Sequence, residues 1–543
     1  MSRHRQALLG LLATCLVAES AQAADLPLKA KAIEYVKVCS LYGAGFWYIP
    51  GTDTCIKIGG YLRVDTGINA GGPHGQPAWS GDSGQGNRFY DYFSSRSRLA
   101  LTVDTRTSTE YGVVRTFGEG RFQFNNFGSS NPSTVGAAPT ALGGISGTFL
   151  DGVGGGYVAV GYVFIQFAGF TFGKSASPFS SPWQGFLGNI NSFFIGGETN
   201  DNAGVPNVQY TAEFGNGVSA TIGAIDPTVF ARTPVYNLGI PGAISSSGTG
   251  SNAYGGFATP DFAGNVRIDQ AWGLLQFSGV AHAVSGSYNA LGAGAIPISG
   301  ATALTDSVLS GHPETKWGGA AMIALQIKNL PTGAGDDIKL DSTYSKGATK
   351  YVISTASTSP SFAMFGGSGF AYQSVGFGAT SDGVYLPVAN GGDGNIHLTT
   401  SWGVRGAFNH HWDPYWSTSL FAGYAALSYD GSANDNLGGA GLSTAKGAYC
   451  SAFAASHPGQ ARVASASGNY TCNPDYEVSQ VGLLTQWTPV KNLTFSAEVD
   501  WFHLYQHMSG SSVFTPSAPQ PTALYQFKDQ NTVLGEVRVQ RNF

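Results

Sequence analysis

From Ile56 to Gly67 the chain alternates with a period of two. Lys57, Tyr61, Arg63 and Asp65 fall on one face, and Ile56, Ile58, Leu62 and Val64 on the other. That period is a two-faced strand, here with full charges on its wet face. The last residues, 532–543, set Glu536, Arg538 and Gln540 against Val537, Val539 and Phe543. Residues 95–105 set Arg96, Arg98, Thr102 and Asp104 against Leu99, Leu101 and Val103. From Thr494 onward, Ser496, Glu498 and Asp500 oppose Phe495, Ala497, Val499 and Trp501. The matched first and last strands predict a seam where one sheet closes on itself.

The same pattern places sixteen strands. They begin near Ile56, Ser95, Glu110, Tyr157, Gly169, Asn207, Val218 and Asn265, then near Gly273, Lys316, Asp336, Leu398, Trp416, Tyr476, Asn492 and Asn531. Short connections (105–109, 215–217, 269–272, 329–335, 410–415, 488–491) alternate with long ones (69–93, 123–155, 175–206, 226–264, 285–314, 351–397, 430–475, 505–530). Short turns on one side and long loops on the other predict an all-β, transmembrane, antiparallel up-and-down barrel, with both termini on the short-turn side. A sheet in lipid must close, because an open edge leaves amides unpaired. Arginines in a dry interior would cost several kcal/mol each, whereas a water-filled lumen removes that cost. Residues 157–172 are apolar but broken by Gly161, Gln166 and Gly169, so they read as two strands with a tight turn. Trp272, Trp317, Trp402, Trp412, Trp416 and Trp487 lie near strand ends, where interfacial girdles belong.

Composition sharpens this reading. Charged residues are only 11% of the 543, against about 25% in soluble domains. Gly is present 77 times and aromatics make up 13%, which suits apolar outer faces and long flexible loops. Residues 1–23 read as a signal peptide: Arg3 and Arg5, an apolar core from Ala7 to Ala18, then Ala21-Gln22-Ala23 as cleavage site. Residues 24–55 would form a periplasmic N-terminal segment and 56–543 the barrel. The formal charge of −5 is mild for this length and suggests no nucleic-acid partner. Cys15 leaves with the signal. In an exported chain the remaining four suggest disulfides, with local pairing Cys39–Cys55 and Cys450–Cys472. The rival, a zinc site, lacks any C-x-x-C or paired-His spacing.

The blocks at 33–39 (IEYVKVC) and 42–63 (YGAGFWYIPGTDTCIKIGGYLR) resemble the opening of the porins of alphaproteobacteria, the rhizobial and Brucella type. The Arg-Ser-Arg strand (96–98), residues 169–174 (GFTFGK) and the terminal Phe543 agree with that family. The resemblance implies a homotrimer in the outer membrane of a Gram-negative bacterium, set in lipid and lipopolysaccharide. It would pass small hydrophilic solutes and ions passively and need no cofactor. Two features depart from the pattern. Loops 226–264, 351–397 and 430–475 are swollen, and Arg541 stands third from the end, where an aromatic is more usual.

In such a barrel the third long loop folds inward and narrows the lumen. Here that is 175–206, with Trp183, Phe186, Phe193 and Phe194 suited to packing on the wall and Glu198 and Asp201 at its acidic end. Opposite it, Arg63, Arg96, Arg98, Arg115 and Arg121 are expected to form the other side of a pore constriction. Acids facing arginines across water set up a field that orients solutes and screens ions. No G-x-S-x-G, H-E-x-x-H or P-loop pattern supports an enzyme. His503 and His507, four apart near a strand end, read as loop chemistry rather than a metal site, and His410 and His411 as residues of a periplasmic turn. Two alternatives to a general diffusion porin are a substrate-selective channel and an exported Gly-rich structural or adhesive β-protein.

Overall fold

A computed structural model describes residues 37–69, 93–125, 157–199, 203–228, 233–238, 243–246, 248–287, 312–354, 361–388, 391–436, 443–460, 462–463, 469–516 and 521–543. Residues 1–23, expected above to be a signal peptide, and Asp201 lie outside them.

Sixteen long strands form the barrel. They are β1 (Thr54–Ile68), β2 (Phe93–Thr109), β3 (Gly112–Asn125), β4 (Tyr157–Phe167), β5 (Phe170–Ser175), β6 (Val205–Gly215), β7 (Val218–Ile225) and β8 (Asp261–Gln270). The second half is β9 (Gly273–Val284), β10 (Lys316–Lys328), β11 (Asp337–Lys346), β12 (Thr400–His411), β13 (Trp416–Ser428), β14 (Tyr476–Val490), β15 (Leu493–Gln506) and β16 (Gln530–Asn542). Each pairs antiparallel with the next, and β16 returns to β1 with Asp65 opposite Arg538 and Val64 opposite Val539. No edge is left in the barrel sheet, as a bilayer requires. Every expected strand start lies within four residues of an observed one.

Alternation decides the two faces. Ile58, Leu62, Val64, Leu101, Val103, Val499 and Val537 are exposed on the outside, while Asp65, Arg96, Arg98, Asp104, Glu498 and Arg538 are buried within. The turns follow from local chemistry. At Asn216-Gly217 both residues have positive φ (51° and 73°), the geometry of a two-residue hairpin that Asn-Gly favours. All six tryptophans named above are exposed on the outer surface. Trp317 and Trp402 sit near the long-loop ends of their strands, and Trp272, Trp412, Trp416 and Trp487 at the short turns. Trp416 and Trp487 stack across β13 and β14 with centroids 5.7 Å apart.

Both expected disulfides are present, Cys39–Cys55 and Cys450–Cys472. The first ties a small N-terminal loop to β1, with Phe46 packed against the pair. The second lies in a feature that the strand pattern does not announce. The long connections fold together into a cap with its own core. A five-stranded sheet joins Phe362–Gly366, Gln373–Gly378, Ala523–Phe527, Ser509–Phe514 and Tyr470–Thr471. A helix α1 (Ala445–Ala455) starts at Thr444, whose hydroxyl accepts from the Gly447 amide at 3.1 Å, an N-cap. Phe377, Phe453, Tyr470 and Phe527 pack at centroid distances of about 6 Å. Phe193 and Ile195 of the third long loop belong to the same core.

Candidate functional site

The third long connection, between β5 and β6, turns into the barrel. Side chains of seven strands hold its backbone there. Asn265 (β8) donates to Pro178 O at 2.6 Å and Gln276 (β9) to Ser180 O at 2.8 Å. Lys339 (β11) and Asn409 (β12) donate to Leu187 O at 3.2 and 3.0 Å. The Ile195 amide donates to Gln480 (β14) at 3.0 Å, and the Ile190 and Asn191 amides donate to Glu498 (β15) at 2.5 and 3.1 Å. Arg538 (β16) donates to Ile190 O at 3.0 Å. A loop in a barrel interior must find partners for its peptide groups, and inward polar residues of the far wall supply them.

Arg405 on β12 is the strongest of these clamps. Its side chain is 1% exposed. Its Nε donates to Asp341 Oδ1 at 2.8 Å, Nη1 to Phe194 O at 3.2 Å and Nη2 to Glu198 O at 2.8 Å. Asp341 also accepts from the Trp183 indole at 2.6 Å. Beside the clamp the wall is cut back to glycine. A Cβ at Gly403 would stand 2.7 Å from Gly196 Cα, and one at Gly423 would stand 2.4 Å from Ile195 O. The loop backbone therefore lies in a trough of β12 and β13, with Phe194 edge-on to Phe421 at 5.2 Å. Trp183, Phe193 and Phe194 are buried and Phe186 half-buried.

On the other side of the barrel the expected arginines come together. Asp65 binds Arg96 at 2.7 Å and Arg538 at 2.5 Å. Arg63 donates to Gln540 at 2.7 Å and lies 4.7 Å over the Tyr61 ring. Arg98 donates to Gln123 at 2.5 Å and to the Tyr61 hydroxyl at 3.3 Å. Arg121 pairs with Glu119 at 2.7 Å. Arg115 sits nearer the short turns, sharing Asp104 with Arg106 at 2.9 and 3.1 Å. Arg96, Arg98 and Arg121 are packed more closely than free lumen side chains would be, and Arg63 stays half-exposed.

Glu198 is placed differently from the expectation. It is 2% exposed, and its carboxylate accepts from Ser180 Oγ at 2.5 Å. Its charged neighbours are Lys350 and Arg405, not the arginines of β1–β3, and burial pushes its carboxyl up to about 7. The physical reason is the clamp. Arg405 draws the 194–199 backbone into the far wall and carries the Glu198 side chain under the loop. Sequence reasoning also passed over Arg405, Asp341 and Gln480 as anchors. Alternation along β12 (Gly403, Arg405, Ala407, Asn409 inward) could have found the first. His507 pairs with Glu477 at 2.9 Å, and His410, in the last turn of strand rather than in the loop, pairs with Asp336 at 2.7 Å. Among the described residues no group of three His, Cys, Asp or Glu side chains is placed to hold a metal.

A closed sixteen-stranded barrel with charged inner strands, an apolar girdled exterior and a long loop pinned inside defines an outer-membrane β-barrel protein. The sequence profile of the porin subfamily matches residues 25–536, and the chain belongs to that family. It is 32% identical over 274 residues to porin Omp2b of Brucella suis, covering 49% of this chain and 63% of that porin. With porin Omp2b of Brucella abortus (strain 2308) it shares 29% over 277 residues, at the same coverages. The matched segment thus spans less than two thirds of these relatives. Among solved structures, the outer membrane channel DcaP of Acinetobacter baumannii superposes with a TM-score of 0.51 at 13% identity, over 91% of this chain and 99% of that one. That likeness shows a shared fold. The protein is a multi-pass resident of the outer membrane of a Gram-negative bacterium, crossing it with strands.

Proposed function

We propose that the chain is a diffusion porin, passing small hydrophilic solutes and ions through a lumen narrowed between the third loop and the arginines of β1–β3. One observation carries this reading. The loop is hydrogen-bonded along the wall from β8 to β16, which supports a passage on the β1–β3 side, where Arg63 and Arg115 are half-exposed and Arg96, Arg98 and Arg121 are packed behind them. A loop fixed in this way acts as a permanent narrowing rather than a lid. Asp201 is proposed with Glu198 as the loop's acidic end; of the two, Glu198 serves to seat the loop. Residues 1–23 are proposed as an export signal, 24–55 as a periplasmic segment closed by Cys39–Cys55, and 56–543 as the barrel. A homotrimer held in lipid and lipopolysaccharide is the proposed assembly, and catalysis forms no part of the reading.

The cap favours a second shade of the same function. Its core joins the tip of the third loop to several long loops, so it narrows the outer entrance as well and suits a channel that selects among solutes. Conductance in planar bilayers tests the proposal. Stepwise, ohmic currents from folded, heat-modifiable protein are expected, in triplets for a trimer. No conductance from such protein would overturn it.

A further inference from the structure

The outer surface of the barrel carries a pocket at the long-loop rim of β10–β13. Lys346 (β11), Thr400 (β12) and Ser428 (β13) stand side by side in register there, with Gly319 (β10) opposite Lys346. Lys346 is the last of an outward-facing series along β11, after Leu340, Ser342 and Tyr344. One row nearer the bilayer centre, Tyr344 pairs with Trp402, both exposed, and Trp402 packs on Tyr424 at 5.3 Å. Aromatic belts of this kind lie at headgroup level. The Lys346 row therefore meets the headgroups of the outer leaflet. An outward charge on a barrel is costly at mid-bilayer and tolerated at the interface, which fits that level.

The pocket has a volume of about 520 Å³, and Lys316, Trp317, Lys346, His397 and Asp430 line it. Among the described residues neither lysine side chain has a hydrogen bond or ion pair. Asp430, the acid in the lining, is held by His397 Nδ1 at 3.3 Å, and His397 Nε2 meets Asp393 at 3.1 Å. That carboxylate is thus directed to the imidazole and not to either ammonium. Trp317 is exposed on the lipid-facing side and sets an apolar face beside the two lysines.

Resting on the outer-membrane assembly proposed above, we infer that this pocket binds a phosphate group of the outer-leaflet glycolipid, lipopolysaccharide. Lysine ammonium groups bind phosphate as point charges, and basic pockets at a membrane surface take phosphorylated headgroups. Lys316 and Lys346 hold the phosphate, and the aromatic row below them meets the start of the acyl chains. The site fixes one lipid against β10–β13 at the foot of the cap.

The test is binding of labelled lipopolysaccharide to purified, heat-modifiable protein in detergent. The double variant Lys316→Gln/Lys346→Gln should bind it about tenfold more weakly. Lys491→Gln, in the short turn between β14 and β15, should bind as the native chain does. Lys346→Gln alone changes an exposed side chain, and it should show part of the loss even where the double variant does not fold. Lipopolysaccharide stripped of its phosphates should bind the native chain and the lysine variants alike. Equal affinity of native and lysine variants for the intact lipid would overturn the inference. So would full displacement by low concentrations of inorganic phosphate, which would assign the pocket to a free anion. Bilayer recordings of the same preparations separate this from the porin reading. Lysine-dependent binding by folded protein that conducts nothing would support the lipid site and overturn the channel alone.

Discussion

Asp65 and Arg538 meet at 2.5 Å, as register partners across the seam where the first strand of the barrel closes on the last. The contact joins three parts of the molecule. Asp65 also holds Arg96, and Arg538 also holds Glu536 and the Ile190 carbonyl of the third loop. Closure of the sheet, the arginine wall and the seat of the loop therefore share one buried carboxylate.

Replacing Asp65 with Asn should destabilise the barrel more than most single changes. It leaves Arg96 and Arg538 beside a neutral amide, and removing one partner of a buried ion pair costs on the order of 3 kcal/mol. The temperature at which the folded band converts to the unfolded one on gels should fall. An unchanged conversion temperature would mean that water already solvates these arginines.

Gly423 admits the loop backbone. A Leu there has no space, since even its Cβ would lie 2.4 Å from Ile195 O. Gly423→Leu should displace the loop tip from its trough and change single-channel conductance, while leaving the heat-modifiable barrel intact. Wild-type conductance and noise in this variant would show that the loop does not rest on β13.

The seat of the loop should respond to pH. Burial raises the Glu198 carboxyl from 4.5 to about 7. A group so raised contributes as the neutral acid, fully below its unfolded value and progressively less as pH rises through about 7. Channel noise should therefore increase between about pH 5 and pH 7 and level off above that, and Glu198→Gln should remove that increase. Identical pH dependence in the two proteins would refute the assignment.

The cap should come apart without the barrel. Cys450 and Cys472 are 22 residues apart, a loop whose closure is worth about 3 kcal/mol in the chain-entropy model. The variant Cys450→Ser/Cys472→Ser should be cut by protease within 443–472 far faster than the native chain, while remaining heat-modifiable. Equal cutting rates would show that the aromatic core holds the cap alone.

The barrel was legible because each strand is read against two solvents. Ile56 to Gly67 shows this: Ile58 and Leu62 must meet lipid, and Arg63 and Asp65 must not, so alternation survives in the sequence. Turns such as Asn216-Gly217 then mark the strand ends. The cap was hidden because its order comes from contacts between distant loops. Residues 445–455 (AKGAYCSAFAA) are helical beneath Phe377 and Phe527, yet carry little helical periodicity of their own. Glu198 was misdirected for a related reason. Strand phase orients a wall residue, whereas a loop side chain points wherever its anchors send it, and here Arg405 is the anchor.

In the proposed channel, passage runs along the arginine wall and not along the far wall on which the loop is seated. Single cysteines at Arg63 and Gln480 test it, since both disulfides leave the described native cysteines unreactive. A charged, membrane-impermeant thiol reagent added during bilayer recording should lower the current of Arg63→Cys in steps and leave Gln480→Cys unchanged. Block at Gln480→Cys with none at Arg63→Cys would contradict the account.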